Sequence, residues 1–160
     1  MGLDMYLKAK KHTYVSEYDI NSDYPKEERD AIQKAVVDIE VPEAFNTYGL
    51  RAFECEAMYW RKANQIHAWF VSNVQKGEDD CGSYYVSKEQ SKALRDDVRK
   101  VLLDVSKASE VLPTSRGCFF GNDAYDEWYF QDLEYTSKAL TKILNMSDID
   151  SWTFEYQSSW

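Results

Sequence analysis

The sequence predicts one α+β domain over residues 1–160, a small mixed or mostly antiparallel sheet packed by three main helices. Three observations predict it. Apolar residues alternate with polar ones near both ends (Leu3, Met5, Leu7; Trp152, Phe154, Tyr156), the period of half-buried strands. Helix-period stripes lie between them, led by Leu94, Val98 and Val101. Strands and helices follow one another too irregularly for doubly wound βαβ units.

In chain order, Met1–Val15 holds the first strand. Tyr24-Pro25 opens a short helix with Glu27 and Glu28 at its positive end and an Ile32, Val36, Val37 stripe, and Val41-Pro42 ends it. Residues 43–50 read as a loop and Leu50–Ala57 as a strand. From Met58-Tyr59-Trp60 the period predicts a central helix to about Val74, closed by the glycine-bracketed acidic turn Lys76–Gly82. Ser83–Val86 is a short strand. Ser87 and Gln90 fit a capping box opening a helix to about Lys107, with Leu94, Val98, Val101, Leu102 and Val105 inward. Residues 112–117 connect to a brief strand at Cys118–Phe120. A helix over Ala124–Asn145 places Tyr125, Tyr129, Leu133, Leu140 and Ile143 inward, Asp126 and Asp132 on its flanks and Glu134–Lys138 outward. The last element is the strand around Trp152, Phe154 and Tyr156.

Composition narrows function. With 28 acidic against 19 basic residues the net charge is −9, which opposes binding to a phosphate backbone and excludes nucleic acid as the main partner. Three widely spaced cysteines, Cys55, Cys81 and Cys118, form no paired framework and fit a reducing cytosol. There is no apolar leader and no run long enough to span a membrane, so secretion and a membrane partner are both disfavoured.

The central stretch is where chemistry is expected. Asn64 and His67 fall on the arc of the buried stripe with Trp60, Ala63, Phe70, Val71 and Val74, and a buried amide and imidazole need partners from the fold or from a ligand. Lys62, Gln65 and Trp69 fall on the opposite face, where Trp69 reads as exposed. Arg61 and Lys62 beside Tyr59, Trp60 and Trp69, with Tyr84, Tyr85, Trp128 and Tyr129 from other elements, could stack a planar base and neutralise a small phosphate. The same rings suit a protein core or interface, which leaves homo-oligomerisation open. Cys81 with His67 is the one Cys–His pair close in sequence. His67, Asp79, Asp80 and Cys81 lack metal-ligand spacing, and the glycine-flanked segment Gly117–Asp123 matches no phosphate-binding fingerprint. No catalytic residue, metal ligand or cofactor is assigned.

Several blocks together resemble a known family: MGLDMYL (1–7), YWRKANQIHAWFVSNVQ (59–75), DDCGSYYVS (79–87), LPT (112–114), FFG through YDEWYFQDL (119–133) and YQSSW (156–160). They are similar to small proteins encoded by tailed bacteriophages and prophages, with Ser16–Gly49 the least similar part. The resemblance implies a phage-encoded protein in the cytoplasm of an infected bacterial host and brings no activity with it. Joined to the ring-and-arginine reading, it gives the expectation of a counter-defence sponge that sequesters a nucleotide-type signal, such as a cyclic nucleotide or an ADP-ribose derivative. Its binding residues would be Tyr59, Trp60, Arg61, Lys62, Asn64, His67, Trp69, Tyr84 and Tyr85. The alternatives are an inhibitor of a host protein acting through an aromatic patch around Trp69 and Trp128, or a small hydrolase using His67 and Asp80.

Overall fold

A computed structural model describes residues 2–12, 34, 52–115, 117 and 120–160. The chain forms two compact units, residues 1–10 with 54–160, and residues 11–53. Of the helix expected from Tyr24-Pro25 only Lys34 is described, and it is helical; the loop expected at 43–50 falls outside the described residues.

The fold is α+β. Strands β1 (Asp4–His12), β2 (Ala52–Arg61), β3 (Ser83–Val86) and β4 (Trp152–Ser159) form one antiparallel sheet in the order β2-β1-β4-β3. Helices α1 (Asn64–Asn73), α2 (Lys88–Leu103), the single turn α3 (Ala108–Val111) and α4 (Glu127–Leu144) complete it. The alternation read in β1 is realised: Leu3, Met5, Leu7 and Ala9 are buried, whereas Asp4, Tyr6, Lys8 and Lys10 point the other way and are half-exposed. β4 sends Phe154, Tyr156 and Ser158 into the same core, and its register with β3, Val86 opposite Phe154, puts Val86 there too. On the opposite face the strands are joined by polar contacts. Lys10 bridges β4 and β2 through Glu155 (2.9 Å) and Glu54 (3.2 Å), and Lys8 donates to Gln157 (2.9 Å).

The helices close over the apolar face. Ile66 and Phe70 of α1, Leu94, Val98 and Val101 of α2 and Leu133 and Leu140 of α4 meet the strand residues in one core. Phe70 stacks on Tyr156 with centroids 3.9 Å apart and planes 8° from parallel. The capping box is present: Ser87 Oγ accepts from the Gln90 amide (3.1 Å) and Gln90 Oε1 from the Ser87 amide (2.9 Å). Gln90 Nε2 also donates to the Asn73 carbonyl (2.7 Å), tying the start of α2 to the end of α1.

Five expectations are corrected. Tyr59–Arg61 belong to β2 rather than to the central helix; Met58 and Trp60 alternate inward, and Lys62, at φ 62, turns the chain into α1. Trp69 is not exposed: it and Gln65 are 7% and 3% accessible, and Trp69 Nε1 donates to Asp97 Oδ2 of α2 (2.9 Å). α1 is covered on both sides over most of its length, and its exposed residues are Ser72 and Asn73 at the C-terminal end, so it lacks the continuous solvent face of an amphipathic helix. α2 stops at Leu103 because Asp104 caps a separate 3-10 turn, Val105–Lys107, which leaves Val105 exposed. α4 begins at Glu127 with Asp126 as its N-cap, so Tyr125 lies outside the helix and is exposed. Of the strand expected at Cys118–Phe120, Cys118 and Phe119 lie outside the described residues, and Phe120 is not in a strand; its amide donates to the Gly117 carbonyl (3.2 Å).

Candidate ligand-binding cleft

The two polar residues of the buried stripe find partners inside the chain. Asn64 Nδ2 donates to the carbonyls of Phe120 (3.1 Å) and Asn122 (2.9 Å), and Asn64 Oδ1 accepts from the Ser115 amide (2.9 Å). Both donors are occupied, and the side chain staples the 115–122 loop to the first turn of α1. His67 is fully buried, with Nδ1 2.8 Å from Tyr156 Oη and Nε2 3.0 Å from Asp79 Oδ2. Burial pushes the Tyr156 phenol well above its usual range, so the phenol keeps its proton and donates it to Nδ1. Nε2–H then donates to the Asp79 carboxylate, whose other oxygen accepts from Trp160 Nε1 (3.2 Å).

This closed relay bears on the catalytic alternatives. The acid beside His67 is Asp79; Asp80 instead accepts from the Gly82 amide (2.8 Å) and the Tyr84 hydroxyl (2.9 Å). Those two bonds hold the Asp80 carboxyl below its usual range, the Gly82 amide contributing most. Neither nitrogen of His67 is free to serve as a general base.

An open site lies elsewhere. A cleft of about 550 Å³ runs between the corner where β2 becomes α1 and the start of α4. Arg61, Lys62, Asn64 and Gln65 line one wall, and Asn122, Asp126, Trp128, Tyr129 and Asp132 line the other. The order of the chain accounts for the arrangement. Trp60, the last inward residue of β2, donates Nε1 to Thr136 Oγ1 (2.8 Å), and that hydroxyl donates to the Asp132 carbonyl (2.7 Å). The bonds fix the end of β2 against α4, and the next two residues, Arg61 and Lys62, reach the rim. Lys62 holds a left-handed backbone that costs a non-glycine residue about 1–2 kcal/mol. Its amide donates to the Leu3 carbonyl (2.8 Å), and Gly121, at φ +88, passes close enough that an added Cβ would lie 3.1 Å from Lys62 Cβ.

The charges in the cleft differ in how far they are neutralised. Asp126 caps α4 through the Tyr129 amide (3.1 Å) and accepts from Asn122 Nδ2 (2.9 Å), so both its oxygens are engaged. Asp132 makes one side-chain contact, a long one from Gln65 Nε2 (3.4 Å), and no ion pair among the described residues. Burial pushes its carboxyl up to about 6, with the nearby Asp126 adding to the rise. On the facing wall Arg61 lies 3.9 Å from Asp4 with a 65% exposed side chain, and Lys62 makes no ion pair among the described residues. Trp128, 73% exposed, stands one turn before Asp132 on the same face of α4.

Of the nine residues expected to bind ligand, the cleft gathers Arg61, Lys62 and Asn64. Trp60 and Trp69 are buried with their indole nitrogens bonded inside the fold. Tyr59 bonds Asp4 and lies against Tyr6 on the open face of the sheet, Tyr84 bonds Asp80, and Tyr85 is exposed on β3 opposite Glu155. His67 is sealed in the relay. With Trp69 buried, the proposed host-facing patch reduces to Trp128. Sequence reasoning missed Gln65, which sits on the supposed outer face, and placed Asp126 and Asp132 on the flanks of the helix without assigning either to a binding site. Asp132 recurring four residues after Trp128 was the available signal. No family of proteins, curated protein or solved structure matches the chain.

Proposed function

We propose that the protein binds, without transforming, a small nucleotide-type ligand in the cleft between the β2–α1 corner and α4. The observation that carries this reading is that Arg61 and Lys62 face Trp128 across one opening: two cations suited to a phosphate and one exposed ring suited to stacking a base. A molecule with a net charge of −9 concentrates an anion only where its cations are locally unmatched, and Lys62 has no ion pair among the described residues. Binding is favoured over Ser- or Cys-based covalent catalysis because no Ser, Cys or His is among the described residues of the lining. In the phage setting implied by the resemblance, retention without turnover would withdraw a cyclic nucleotide or ADP-ribose derivative from a host defence response.

Calorimetry with mononucleotides, cyclic nucleotides and ADP-ribose derivatives tests the proposal. The expected result is saturation at one ligand per chain and recovery of unaltered ligand after denaturation. Lys62→Ala and Trp128→Ala should each weaken binding about tenfold or more, the scale of a lost charge-assisted contact or stacking platform. Failure of every ligand to saturate, or recovery of a cleaved product, would overturn it.

A further inference from the structure

We infer that the base held in the cleft is of guanine type, read along its edge by the Asp132 carboxylate and the Gln65 carboxamide. The inference rests on the nucleotide-binding reading above and names the base. Of the two carboxylates in the lining, Asp126 has both oxygens engaged by its own helix cap and by Asn122. Asp132 has one long side-chain contact and no other side-chain partner among the described residues, although it is partly withdrawn from water. A half-buried carboxylate with one long amide contact and no cation has acceptor capacity left for two N–H groups. Burial raises its carboxyl, and the single bond from Gln65 offsets that rise only in part.

Gln65 restricts the partner further. It is nearly inaccessible, and its only side-chain hydrogen bond among the described residues is the 3.4 Å approach of Nε2 to Asp132 Oδ2. Such a length lets Nε2 swing to a better acceptor when a ligand arrives. The pair therefore presents two acceptor oxygens beside one amide donor. A guanine edge complements this with two adjacent N–H donors, at N1 and the exocyclic amine, next to the O6 acceptor. An adenine edge places the bare N1 acceptor against the ionised carboxylate and is disfavoured. Trp128 stands one helical turn, about 5.4 Å, before Asp132 on the same face, so one purine can stack on the indole while its edge meets the carboxylate. Arg61 and Lys62 on the facing wall remain for the phosphate.

The test is titration of GMP, IMP, AMP and XMP into the full chain at pH 7.5, followed by calorimetry. GMP should bind at least about tenfold more tightly than AMP, with IMP, which lacks the exocyclic amine, between them. Asp132→Asn replaces one acceptor by a donor and should move the preference from GMP to XMP, whose oxygen occupies the amine position. Equal affinity for GMP and AMP, or an unchanged order in Asp132→Asn, overturns the base assignment while the nucleotide-binding reading stands. Failure of all four to bind overturns the base assignment, and the wider panel then decides the function. Should Asp132→Asn not fold, the GMP-to-IMP and GMP-to-AMP ratios of the unaltered chain decide alone.

Discussion

The Tyr156 hydroxyl donates to His67 Nδ1 at 2.8 Å in a part of the core where both side chains are about 1% accessible or less. Through this bond the C-terminal strand and α1 hold each other, and Asp79 on the far side of the ring ties in the turn that follows α1. An imidazole turned inward is thus a junction of three segments. Tyr156→Phe leaves the stacked ring on Phe70 in place and removes only the hydroxyl. It should destabilise the fold by about 1–3 kcal/mol, the cost of an unsatisfied buried nitrogen. Urea unfolding measures that loss, and ligand affinity in the cleft should be unchanged because His67 does not line it.

Asn64 makes a comparable junction one turn earlier, at the first residue of α1. Its three hydrogen bonds reach Ser115, Phe120 and Asn122, so Asn64→Ala should free the loop rather than the helix. The expected cost is about 2–3 kcal/mol for three lost bonds in a partly buried site. Hydrogen exchange should show the Ser115 amide losing protection, while amides in the middle of α2 keep theirs.

The contrast between these junctions and the cleft shows what the sequence discloses. Alternation in β1 and β4 and the Ser87–Gln90 box are local patterns, and each appears in the fold as read. The inward setting of Asn64 and His67 was legible as well, since it follows from their spacing on α1. Their partners were not, because Tyr156 and the 115–122 loop lie dozens of residues away. Trp69 was misread for a related reason: helical period marks the faces of a helix, but only tertiary packing shows that α2 covers the second one. Trp60 fitted a helical arc and a strand alternation equally well, and pairing of β2 in the sheet decided between them. The cleft joins residues 61–65 to 121–132, a relationship that no local pattern carries.

Two glycines separate backbone strain from crowding. Gly77 and Gly121 have nearly equal positive φ, +86 and +88, yet an added Cβ meets nothing within 4 Å at Gly77 and lies 3.1 Å from Lys62 Cβ at Gly121. Gly77→Ala should therefore cost about 1 kcal/mol, the left-handed penalty alone. Gly121→Ala should cost more by thermal or urea unfolding and should also weaken ligand binding, because relief of the contact displaces Lys62 from the rim.

Asp132 gives the cleft a pH dependence whose sign follows from its surroundings. Burial holds its carboxyl at about 6 in the folded protein, against an ordinary value of 3.8 when the chain is unfolded. Between those values the folded state binds more proton than the unfolded one, so this group contributes stability that is full below about pH 4 and lost as pH rises through about 6. The shift corresponds to at most about 3 kcal/mol, reduced by the remaining solvent access of the side chain. Glu155 contributes in the opposite sense: its carboxyl is lowered, chiefly by the bond from Lys10, so its contribution is lost as pH falls. The difference between the unaltered chain and Asp132→Asn isolates the single group. That variant should be more stable at pH 7 and lose the advantage by pH 4. Ligand binding should run the other way, strengthening as pH rises through about 6, since an ionised Asp132 accepts two N–H donors and a protonated one does not. Stability and affinity that moved together across this interval would show that Asp132 does not touch the ligand.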